Sequence, residues 1–433
     1  MTEQQATSGP RGPVVIVGFV GVTIPFIESF QPEGSVVYVE EPDVVRKREA
    51  RDKLAAVGYV RELIEWEYHL PGKADEFHAA HPDLHPVAVV PAIEYAVPFA
   101  ARLAERYGLP GASLGAALIL RDKALLRQVS AAAGIANPAS VRVHGPQDVR
   151  DFLRDHPGPA VLKPANRQAS LGVRVLHDPA EVASAWEECL VQDEGILVPD
   201  RAMDVVMLAE EFVRGEEYSV EMLVRRGEPL FTNVTAKVLY PGPYPVEQAH
   251  IVPADIPDEL ADLLGERTAR LMTAIGFGDG VVHCEWIVAD GVPHLVECAG
   301  RMPGDAILDL IEVAYPLEFM RSYFALLKGE QPPAELPVRA KGGAAVRFLA
   351  PGAGTVVSVS GVEDAEKAEG VLLVHCTVPG AAFGGLRNSW DRGGIVLARA
   401  DTPAEAHRLA GAAAAMVRVE MRPPGESPVA EKP

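Results

Sequence analysis

Basic residues, cysteines and long apolar runs are all scarce in this chain of 433 residues. Lys and Arg number 40 against 60 Asp and Glu, which gives a formal net charge of −20. Phosphate binding needs a basic surface, so this balance argues against a nucleic-acid partner and requires any anionic substrate to meet a local cluster of Lys and Arg. No apolar run reaches the ~18 residues that span a bilayer, so no membrane partner is expected.

The four cysteines form no C-x-x-C pair and stand at no zinc-site spacing with histidine. We expect reduced, mostly buried thiols in a cytoplasmic protein. The first residues, M-T-E-Q-Q-A-T-S-G-P-R-G-P, contain no apolar signal region, so secretion is not expected. Residues 1–12 and 422–433 are polar and rich in proline, and we predict that both are disordered tails. The remaining chain is too long for one core, so several domains are expected.

The most informative stretch runs from Val281 to Asp305 and reads as two short apolar strands joined by Ala-Asp-Gly. Each strand carries one acid, Glu285 in the first and Glu297 in the second. A carboxylate in an apolar strand is costly unless a cation neutralises it, and Mg²⁺ takes one or two protein carboxylates together with phosphate oxygens and water. The pattern therefore predicts a divalent metal between the two acids. A surface hairpin with solvated Glu side chains is the alternative.

The length of the turn decides whether the two acids meet. A two-residue Asp-Gly loop would place Glu285 opposite Val296 and turn Glu297 to the other face of the hairpin. A three-residue loop, 290–292, would place Glu285 directly opposite Glu297, close enough to share one cation. The Asp-Gly pair favours two residues whereas a shared metal requires three, and we predict three.

The N-terminal third alternates strands and helices. Strands predicted at 13–20, 35–39 and 87–90 are followed by a helix from about residue 94 to 107, a pattern typical of a parallel sheet with helices on both faces. The G-F-V-G sequence after the first strand is not the dinucleotide fingerprint G-x-G-x-x-G, so a nicotinamide cofactor is not favoured. Further on, residues 160–175 predict two strands around a polar loop whose backbone N–H groups and serine hydroxyl suit a phosphate.

Several charged residues have a simpler interpretation when each is taken alone. Lys123 lies in the first turn of a helix predicted within residues 121–138 and closed by Gly134, where a solvated lysine is the simpler interpretation. Lys163 stands mid-strand between apolar residues and needs an anionic partner if it is buried. Residues 206–223 read as two strands turning at Gly215, with a charged hairpin tip formed by Glu210, Glu211, Glu216 and Glu217.

The order of these pieces resembles the ATP-grasp superfamily of carboxylate–amine ligases, and most closely the L-amino acid ligases, which join two amino acids through an acyl phosphate. The similarity covers most of residues 13–421. It rests on R-D-K-x-x-x-R at 121–127, V-L-K-P…S-x-G-V at 161–173, E-E-F-V-x-G-x-E at 210–217, A-K at 236–237, H-x-E at 283–285 and E-x-A-x-R-x-x-G-D at 297–305. The chain departs from the pattern at Ala299, where many members have Asn, and in a lid loop with fewer glycines than usual.

This resemblance implies an α/β ATP-grasp fold. The expected parts are an N-terminal Rossmann-like parallel sheet at 13–120, a lid subdomain at 121–208, an antiparallel ATP- and metal-binding sheet at 209–335 and a small α+β C-terminal lobe at 336–421. ATP and Mg²⁺ are the implied cofactors, with Mn²⁺ able to substitute. The implied partners are a small carboxylate and a small amine, and a homodimer is expected.

The resemblance also implies a role for each matching residue. ATP would be bound by Lys123, Lys163, Ser170, Gly172, Glu210, Glu211, Phe212, Val213 and Glu217. Glu285 and Glu297 would hold the metal. The catalytic residues would be Lys237, His283 and Arg301, and the substrates would be bound by Glu247, His283, Arg301, Gly304 and Asp305.

Three classes of function remain open. The first is a ligase that joins an ATP-activated amino acid to an amine, and the second is a related ligase that uses another carboxylate or a thiol or carrier-protein acceptor. The third is a catalytically degenerate protein that only binds nucleotide. Retention of Lys163, Glu285, Glu297 and Arg301 together argues against the third class.

Overall fold

The computed structural model describes residues 12–190, 194–332 and 334–424. Nearly all of both predicted tails, at 1–11 and 425–433, lies outside the described residues. Arg422, predicted as the first residue of the C-terminal tail, ends the last strand and pairs with Thr355.

Strands and helices alternate in the N-terminal region, whereas several strands follow one another directly further along the described chain. The strands are β1 Val14–Val17, β2 Val36–Glu40, β3 Val60–Glu65, β4 Ala88–Pro91, β5 Ser140–Val143, β6 Ala160–Pro164, β7 Arg174–Leu176, β8 Met207–Glu211, β9 Glu216–Arg225, β10 Glu228–Leu239, β11 Glu247–Val252, β12 Gly280–Ala289, β13 Val292–Ala299, β14 Gly343–Leu349, β15 Gly354–Ser360, β16 Val371–Cys376, β17 Ala382–Phe383, β18 Gly394–Ala400 and β19 Arg418–Arg422. The α-helices are α1 Ile24–Glu28, α2 Pro42–Lys47, α3 Ala50–Ala55, α4 Lys73–Ala80, α5 Val97–Tyr107, α6 Leu114–Leu120, α7 Lys123–Ala132, α8 Pro146–Asp155, α9 Val182–Leu190, α10 Asp258–Ile275, α11 Ile307–Ala314, α12 Phe319–Leu327, α13 Val362–Glu366 and α14 Pro403–Ala414.

The N-terminal sheet has the order β3-β2-β1-β4 and all its pairs are parallel, which confirms the prediction for this part. Its two inner strands are buried throughout, and they are apolar apart from the terminal Glu40, as expected when helices cover both faces. The edge strand β3 was not predicted. Its sequence V-R-E-L-I-E is half polar and partly exposed, so it lacks the continuous apolar run that marks the inner strands.

The lid sheet is antiparallel with the order β5-β8-β6-β7, and α8 and α9 contribute to its apolar core. The hairpin predicted for residues 206–223 is wrong, because β8 lies in this lid sheet whereas β9 lies in the central sheet. The chain crosses between the two sheets at Gly215, where an added Cβ would stand 2.2 Å from the carbonyl oxygen of Val288.

The central sheet has eight strands in the order β13-β12-β9-β10-β11-β14-β18-β16. Its last three strands come from the C-terminal region, and a small sheet of β17, β15 and β19 lies beside them. One face of β9, β12 and β13 packs apolar side chains against α10 and forms a core that includes Val220, Cys284, Trp286 and Cys298. The cysteines of the described residues are all free. No helix in the described part of the chain is long and apolar enough to cross a membrane. The predicted domain boundaries stay a prediction, and the one at 208/209 divides β8.

Candidate active site

Polar side chains stand in rows on the face of the central sheet opposite the α10 core. Strand register places Asn233, Glu221, His283 and Ala299 side by side across β10, β9, β12 and β13. The next row along the strands is Thr235, Ser219, Glu285 and Glu297. Because side chains alternate faces along a strand, residues two apart on each strand all point to the same side. The two predicted metal ligands therefore lie together on a polar face with His283.

The prediction that Glu285 and Glu297 pair directly is confirmed, but the predicted three-residue loop is wrong. The turn is the two-residue Asp290-Gly291 loop, in which both residues have positive φ (49° and 76°) as an Asp-Gly hairpin turn requires. The strand pairs near the turn have the register that a two-residue loop sets, with Trp286 opposite Leu295. A β-bulge that leaves Val296 unpaired then shifts the register by one residue, so that the next pair is Glu285 with Glu297.

Arg127 on α7 holds this bulge. Its Nη2 donates a hydrogen bond of 2.7 Å to the carbonyl oxygen of Val296. The same guanidinium makes a bidentate pair with Glu210, at 2.9 and 3.1 Å, and Lys163 reaches Glu210 at 2.5 Å. Burial would raise the pKa of Glu210, but the two cations outweigh it and lower that pKa to about 2. Lys163 thus has a protein partner in this structure, as the prediction of an anionic partner requires, and Arg127 was not predicted.

Two lysines neutralise the paired acids. The Nζ of Lys237 lies 2.6 Å from Glu285 and 3.3 Å from Glu247, and the Nζ of Lys123 lies 2.8 Å from Glu297. The pKa of Glu285 is held well below its usual value, because Lys237 and then His283 outweigh the cost of burial. Lys123 is therefore part of the acid cluster rather than a solvated surface residue.

The two acids also fit a Mg²⁺ ion. They are opposed in register on one face, and their side chains are 18% and 28% exposed, so both remain accessible. Among the described residues no group of three or more His, Cys, Asp or Glu could hold a metal by itself. The two carboxylates of Glu285 and Glu297 suit Mg²⁺, which takes one or two carboxylates and completes its shell with phosphate oxygens and water.

His283 bridges two carboxylates. Its Nδ1 lies 2.9 Å from Glu221 and its Nε2 lies 3.1 Å from Glu285. Burial would lower the pKa of His283, but the hydrogen bonds to Glu221 and Glu285 outweigh it and raise the pKa to about 9. Glu221, which is fully buried and was not predicted, also accepts hydrogen bonds of 2.6 to 2.7 Å from Ser219, Asn233 and Thr235.

Glu217 lies in the third row, opposite Lys237 on one side and Ile287 on the other. Burial raises the pKa of Glu217 to about 7; Lys237 opposes this shift, whereas the carboxylates of Glu285 and Glu247 add to it. Glu217 lines the same cavity as Glu210, Glu211, Phe212 and Val213, which follow one another along the crossing from the lid sheet.

The polar loop between β6 and β7 covers this face. Its Ala169 and Ser170 have positive φ, 58° and 55°, and the Ser170 hydroxyl donates to the carbonyl of Pro245 at 3.0 Å. Gly172 is not among the residues that line the cavity, and its predicted contact with ATP stays a prediction. Its φ of 71° and the carbonyl of Cys189, 2.9 Å from an added Cβ, give it a conformational role.

Arg301 leaves the end of β13 and pairs with Glu94 at 2.8 Å. The other oxygen of Glu94 accepts from Arg121 at 2.9 Å, and Arg121 also donates to the backbone carbonyl of Asn166 in the lid loop at 3.1 Å. The pKa of Glu94 is lowered, because Arg121 and Arg301 outweigh its burial. Glu94 was predicted only as the start of a helix, so its contact with Arg301 is new.

Asp305 lies next to Gly304, just before α11, and pairs with Arg392 at 2.5 Å and with His250 at 3.5 Å. His250 and Arg392 outweigh the burial of Asp305 and lower its pKa. Glu247 accepts a hydrogen bond of 2.9 Å from Ser389 in the C-terminal region. The predicted substrate residues are thus tied to a loop far along the chain.

Side chains of this polar face, of the crossing and of the lid loop line one cavity of about 540 Å³. It contains every residue predicted for the site except Gly172, namely Lys123, Lys163, Ser170, Glu210, Glu211, Phe212, Val213, Glu217, Lys237, Glu247, His283, Glu285, Glu297, Arg301, Gly304 and Asp305. The sequence did not identify Glu94, Arg127, Glu221 and Arg392 as site residues. Glu94 and Glu221 each stand among apolar neighbours in the sequence, which indicates a buried charge but does not identify its partner.

The chain has the ATP-grasp fold. Residues 156–309 match the ATP-grasp domain family, and residues 347–422 match the L-amino acid ligase C-terminal domain 2 family. The chain therefore carries an ATP-grasp domain followed by an L-amino acid ligase C-terminal domain, and the resemblance inferred from the motifs is confirmed.

Curated relatives and solved structures agree with this assignment. Dapdiamide A synthase of Enterobacter agglomerans is 28% identical over 194 residues, 44% of this chain and 45% of that protein. Alanine–anticapsin ligase of Bacillus subtilis (strain 168) is 26% identical over 232 residues, 50% of this chain and 49% of that protein. The crystal structure of L-amino acid ligase from Bacillus licheniformis superposes with a TM-score of 0.76 at 19% identity, covering 95% of this chain and 99% of that chain, which shows the shared fold. The chain spans about half the length of these two curated relatives.

Proposed function

We propose that this chain is an ATP- and Mg²⁺-dependent ligase that joins a carboxylate to an amine, and that both substrates are amino acids. The carboxylate oxygen would attack the γ-phosphorus of ATP, forming an acyl phosphate and releasing ADP. The amine would then attack the acyl carbon, forming the amide and releasing phosphate and a proton. The observation that carries this proposal is the acid pair Glu285–Glu297 on one cavity wall with Lys123, Lys163 and Lys237.

The residues fit this chemistry by charge and position. Phosphoryl transfer to a carboxylate needs positioning and charge neutralisation more than a covalent catalyst. Bound Mg²⁺, held by Glu285 and Glu297, would neutralise charge on the phosphate oxygens. Lys123 and Lys163 would bind phosphates, Lys237 would contact the γ-phosphate, and Arg301 would stabilise the charge of the tetrahedral intermediate.

The remaining assignments follow the cavity wall. Glu210, Glu211, Phe212 and Val213 would surround the adenine, and Glu217 would bind the ribose hydroxyls. Glu247, His283, Gly304 and Asp305 would contact the two substrates. Water would hydrolyse an acyl phosphate, so the loop that carries Ser170 would keep water out of the cavity. Two contacts close this loop over the site. The Ser170 hydroxyl donates to the carbonyl of Pro245, and the Ala169 carbonyl accepts from the Ser389 backbone at 3.3 Å.

The test is ADP and phosphate release from ATP with a panel of carboxylates crossed with amines, with the products identified by mass. Turnover should need a divalent metal, and Glu285→Gln or Glu297→Gln should lower kcat by ~10² or more. Arg301→Ala should lower kcat more than it raises the KM for ATP. Glu335→Gln, an exposed acid away from the cavity, is the matched control.

Two results would change this proposal. Product formation only with thiols or a carrier protein would assign the second class of ligase. Full activity of both metal-site variants would remove the metal assignment.

We also propose a homodimer, which light scattering of the purified chain would test.

A further inference from the structure

We propose that Arg392, from the C-terminal region, is a positioning residue that holds the strained turn Asp305-Ala306 in the shape needed to bind a substrate. This inference rests on the proposed function, in which Gly304 and Asp305 contact the substrates. Arg392 is not among the residues that line the cavity, whereas Asp305 and Ala306 are. Arg392 would therefore act on the substrate through Asp305.

The turn just before α11 has an unfavourable backbone conformation. Asp305 and Ala306 both have positive φ, 57° and 61°, which residues with a side chain rarely adopt. Glycine takes such angles freely, but the glycine of this segment, Gly304, stands one position too early and its φ is not positive. A strained turn persists only where contacts from the surrounding structure fix it. The contacts of Asp305 are therefore the place to look for its support.

Both carboxylate oxygens of Asp305 face a basic side chain. The Nη2 of Arg392 donates a hydrogen bond of 2.5 Å to Oδ1, and the Nε2 of His250 lies 3.5 Å from Oδ2. The side chains of Arg392 and His250 are 8% and 1% exposed, and that of Asp305 is 30% exposed. Arg392 thus binds Asp305 from the buried side, and the carboxylate keeps its open side towards the cavity.

The guanidinium of Arg392 is itself held in one orientation. Its Nε donates a hydrogen bond of 2.7 Å to the backbone carbonyl of Ser389. Its central carbon lies 3.7 Å from the centre of the Phe348 ring, so the cation packs on the aromatic face. A lysine could supply the charge for Asp305 but neither the stacking nor the additional directed donor.

The loop that carries Arg392 is fixed by its own hydrogen bonds. The carboxylate of Asp391 accepts from the backbone N–H groups of Arg387 and Asn388, at 2.9 and 3.2 Å. The side chain of Asn388 in turn accepts from the backbone of Trp390 at 2.9 Å. Since the loop is ordered without any contact to Asp305, it can impose a position on the turn.

The experiment measures the KM of each substrate in a pair that the unmodified chain accepts, and the Kd of a non-hydrolysable ATP analogue with Mg²⁺. Arg392→Gln should raise the KM of at least one substrate by about tenfold or more, and Arg392→Lys should raise it less. The Kd of the nucleotide should not change. Arg399→Gln is the control, because Arg399 is an exposed arginine on β18 outside the cavity.

Two double variants separate positioning from a general structural role. Ala306→Gly removes the cost of positive φ at that position, so adding it to Arg392→Gln should bring the KM back towards that of Ala306→Gly alone. Adding Arg392→Gln to Asp305→Asn should change the KM little further, because the two residues act as a pair. Absence of rescue together with fully additive effects would overturn the positioning role.

Hydrogen exchange of the free protein, followed by mass spectrometry, gives a measurement that does not depend on turnover. Residues 302–314 should exchange faster in Arg392→Gln, and the hairpin β12–β13 should not. Equal exchange in the variant and the unmodified chain, or faster exchange throughout the molecule, would overturn the inference. An active unmodified chain whose KM values are unchanged in Arg392→Gln would overturn the inference and leave the ligase proposal standing. No turnover with any substrate pair, together with faster exchange confined to 302–314 in Arg392→Gln, would overturn the ligase and leave the positioning of the turn standing.

Discussion

At the scale of single residues, Glu221 is the clearest example of a side chain whose place was hidden in the sequence. It lies inside the central sheet and binds His283 at Nδ1, while the other ring nitrogen of His283 reaches Glu285. Asn233 and Thr235 saturate the second oxygen of Glu221. Groups behind a metal ligand commonly fix its orientation, so Glu221 would act on the proposed metal site through His283 as a positioning residue.

We predict that Glu221→Gln weakens metal binding. The amide can keep an oxygen towards Thr235, but its NH₂ group would face the Nδ1 side of His283 and lose the charged hydrogen bond that orients the ring. The metal concentration for half-maximal ATP turnover should rise by ~10- to 100-fold. Mn²⁺ binding without ATP, measured by electron paramagnetic resonance, should weaken in parallel. Unchanged Mn²⁺ affinity with a lower Tm would reduce Glu221 to a structural role, and Glu420→Gln on the small sheet is the control.

Glu40 offers a prediction on pH. Its carboxylate accepts hydrogen bonds from the backbone of Phe19 and Glu41 and from the Tyr68 hydroxyl, at 2.6 to 2.9 Å. Burial nevertheless raises the pKa of Glu40 from 4.5 to about 7. Between these values the folded protein keeps a proton that the unfolded chain releases, so stability must fall as pH rises through this range.

Glu40→Gln should remove that dependence. Between pH 4.5 and 7 we expect the unfolding free energy of the unmodified protein to fall by about 3 kcal/mol more than that of the variant. Urea unfolding at several pH values measures this slope, and the absolute stability of the variant does not enter. An identical slope in both proteins would show that Glu40 is ionised in the fold.

Nearly all the residues that the sequence predicted for the site line the cavity, because their spacing matches known motifs. It did not predict Glu94, Arg127, Glu221 or Arg392, whose partners lie far away in the chain. Glu210 shows the reason: its two cations, Arg127 and Lys163, are 83 and 47 residues away from it. Charge partners across strands and helices depend on the tertiary fold, which local patterns do not specify.

At the scale of elements, the hairpin β12–β13 satisfies two requirements that exclude each other in a regular hairpin. These are the two-residue turn that Asp-Gly favours and the direct pairing of the two acids. The extra residue is Val296, in the strand rather than in the turn. The bulge is not visible in the sequence, because Val296 suits a regular strand and its carbonyl partner, Arg127, lies on a distant helix.

The crossing from the lid sheet to the central sheet gives a prediction at the scale of elements. A Cβ at Gly215 would meet the Val288 carbonyl at 2.2 Å, so Gly215→Ala must displace the backbone beside Phe212 and Val213. We expect a loss of ~1–3 kcal/mol in stability and a higher KM for ATP. Gly411→Ala is the control, because Gly411 lies inside α14 with nothing within 4 Å of its added Cβ, and it should be neutral or stabilising. Equal effects of the two substitutions would contradict the close approach at Gly215.

At the scale of the whole molecule, the cavity lies where several parts of the fold meet. The lid sheet supplies Lys163, the central sheet supplies Glu285, and the N-terminal region supplies Glu94, while Ser389 comes from the C-terminal region. The order of motifs predicted the fold class. It did not predict that β14, β18 and β16 extend the central sheet, because strand order across such distances leaves no periodic signal in the sequence.

This arrangement predicts how ligands should stabilise the chain. A nucleotide whose phosphates reach Lys163 and whose metal is held by Glu285 and Glu297 would link the lid sheet to the central sheet. A ligand that binds only the folded state stabilises it by about 2.7 kcal/mol at one hundred times its Kd. We therefore expect ATP with Mg²⁺ to raise Tm more than ATP with a chelator or Mg²⁺ alone.

In the Glu285→Gln, Glu297→Gln double variant the extra shift from Mg²⁺ should vanish while the shift from ATP with a chelator remains. Lys163→Ala should reduce both shifts, yet stay folded because Arg127 still neutralises Glu210. Equal shifts with and without Mg²⁺ in the unmodified protein would show that the acid pair does not hold a metal next to the nucleotide.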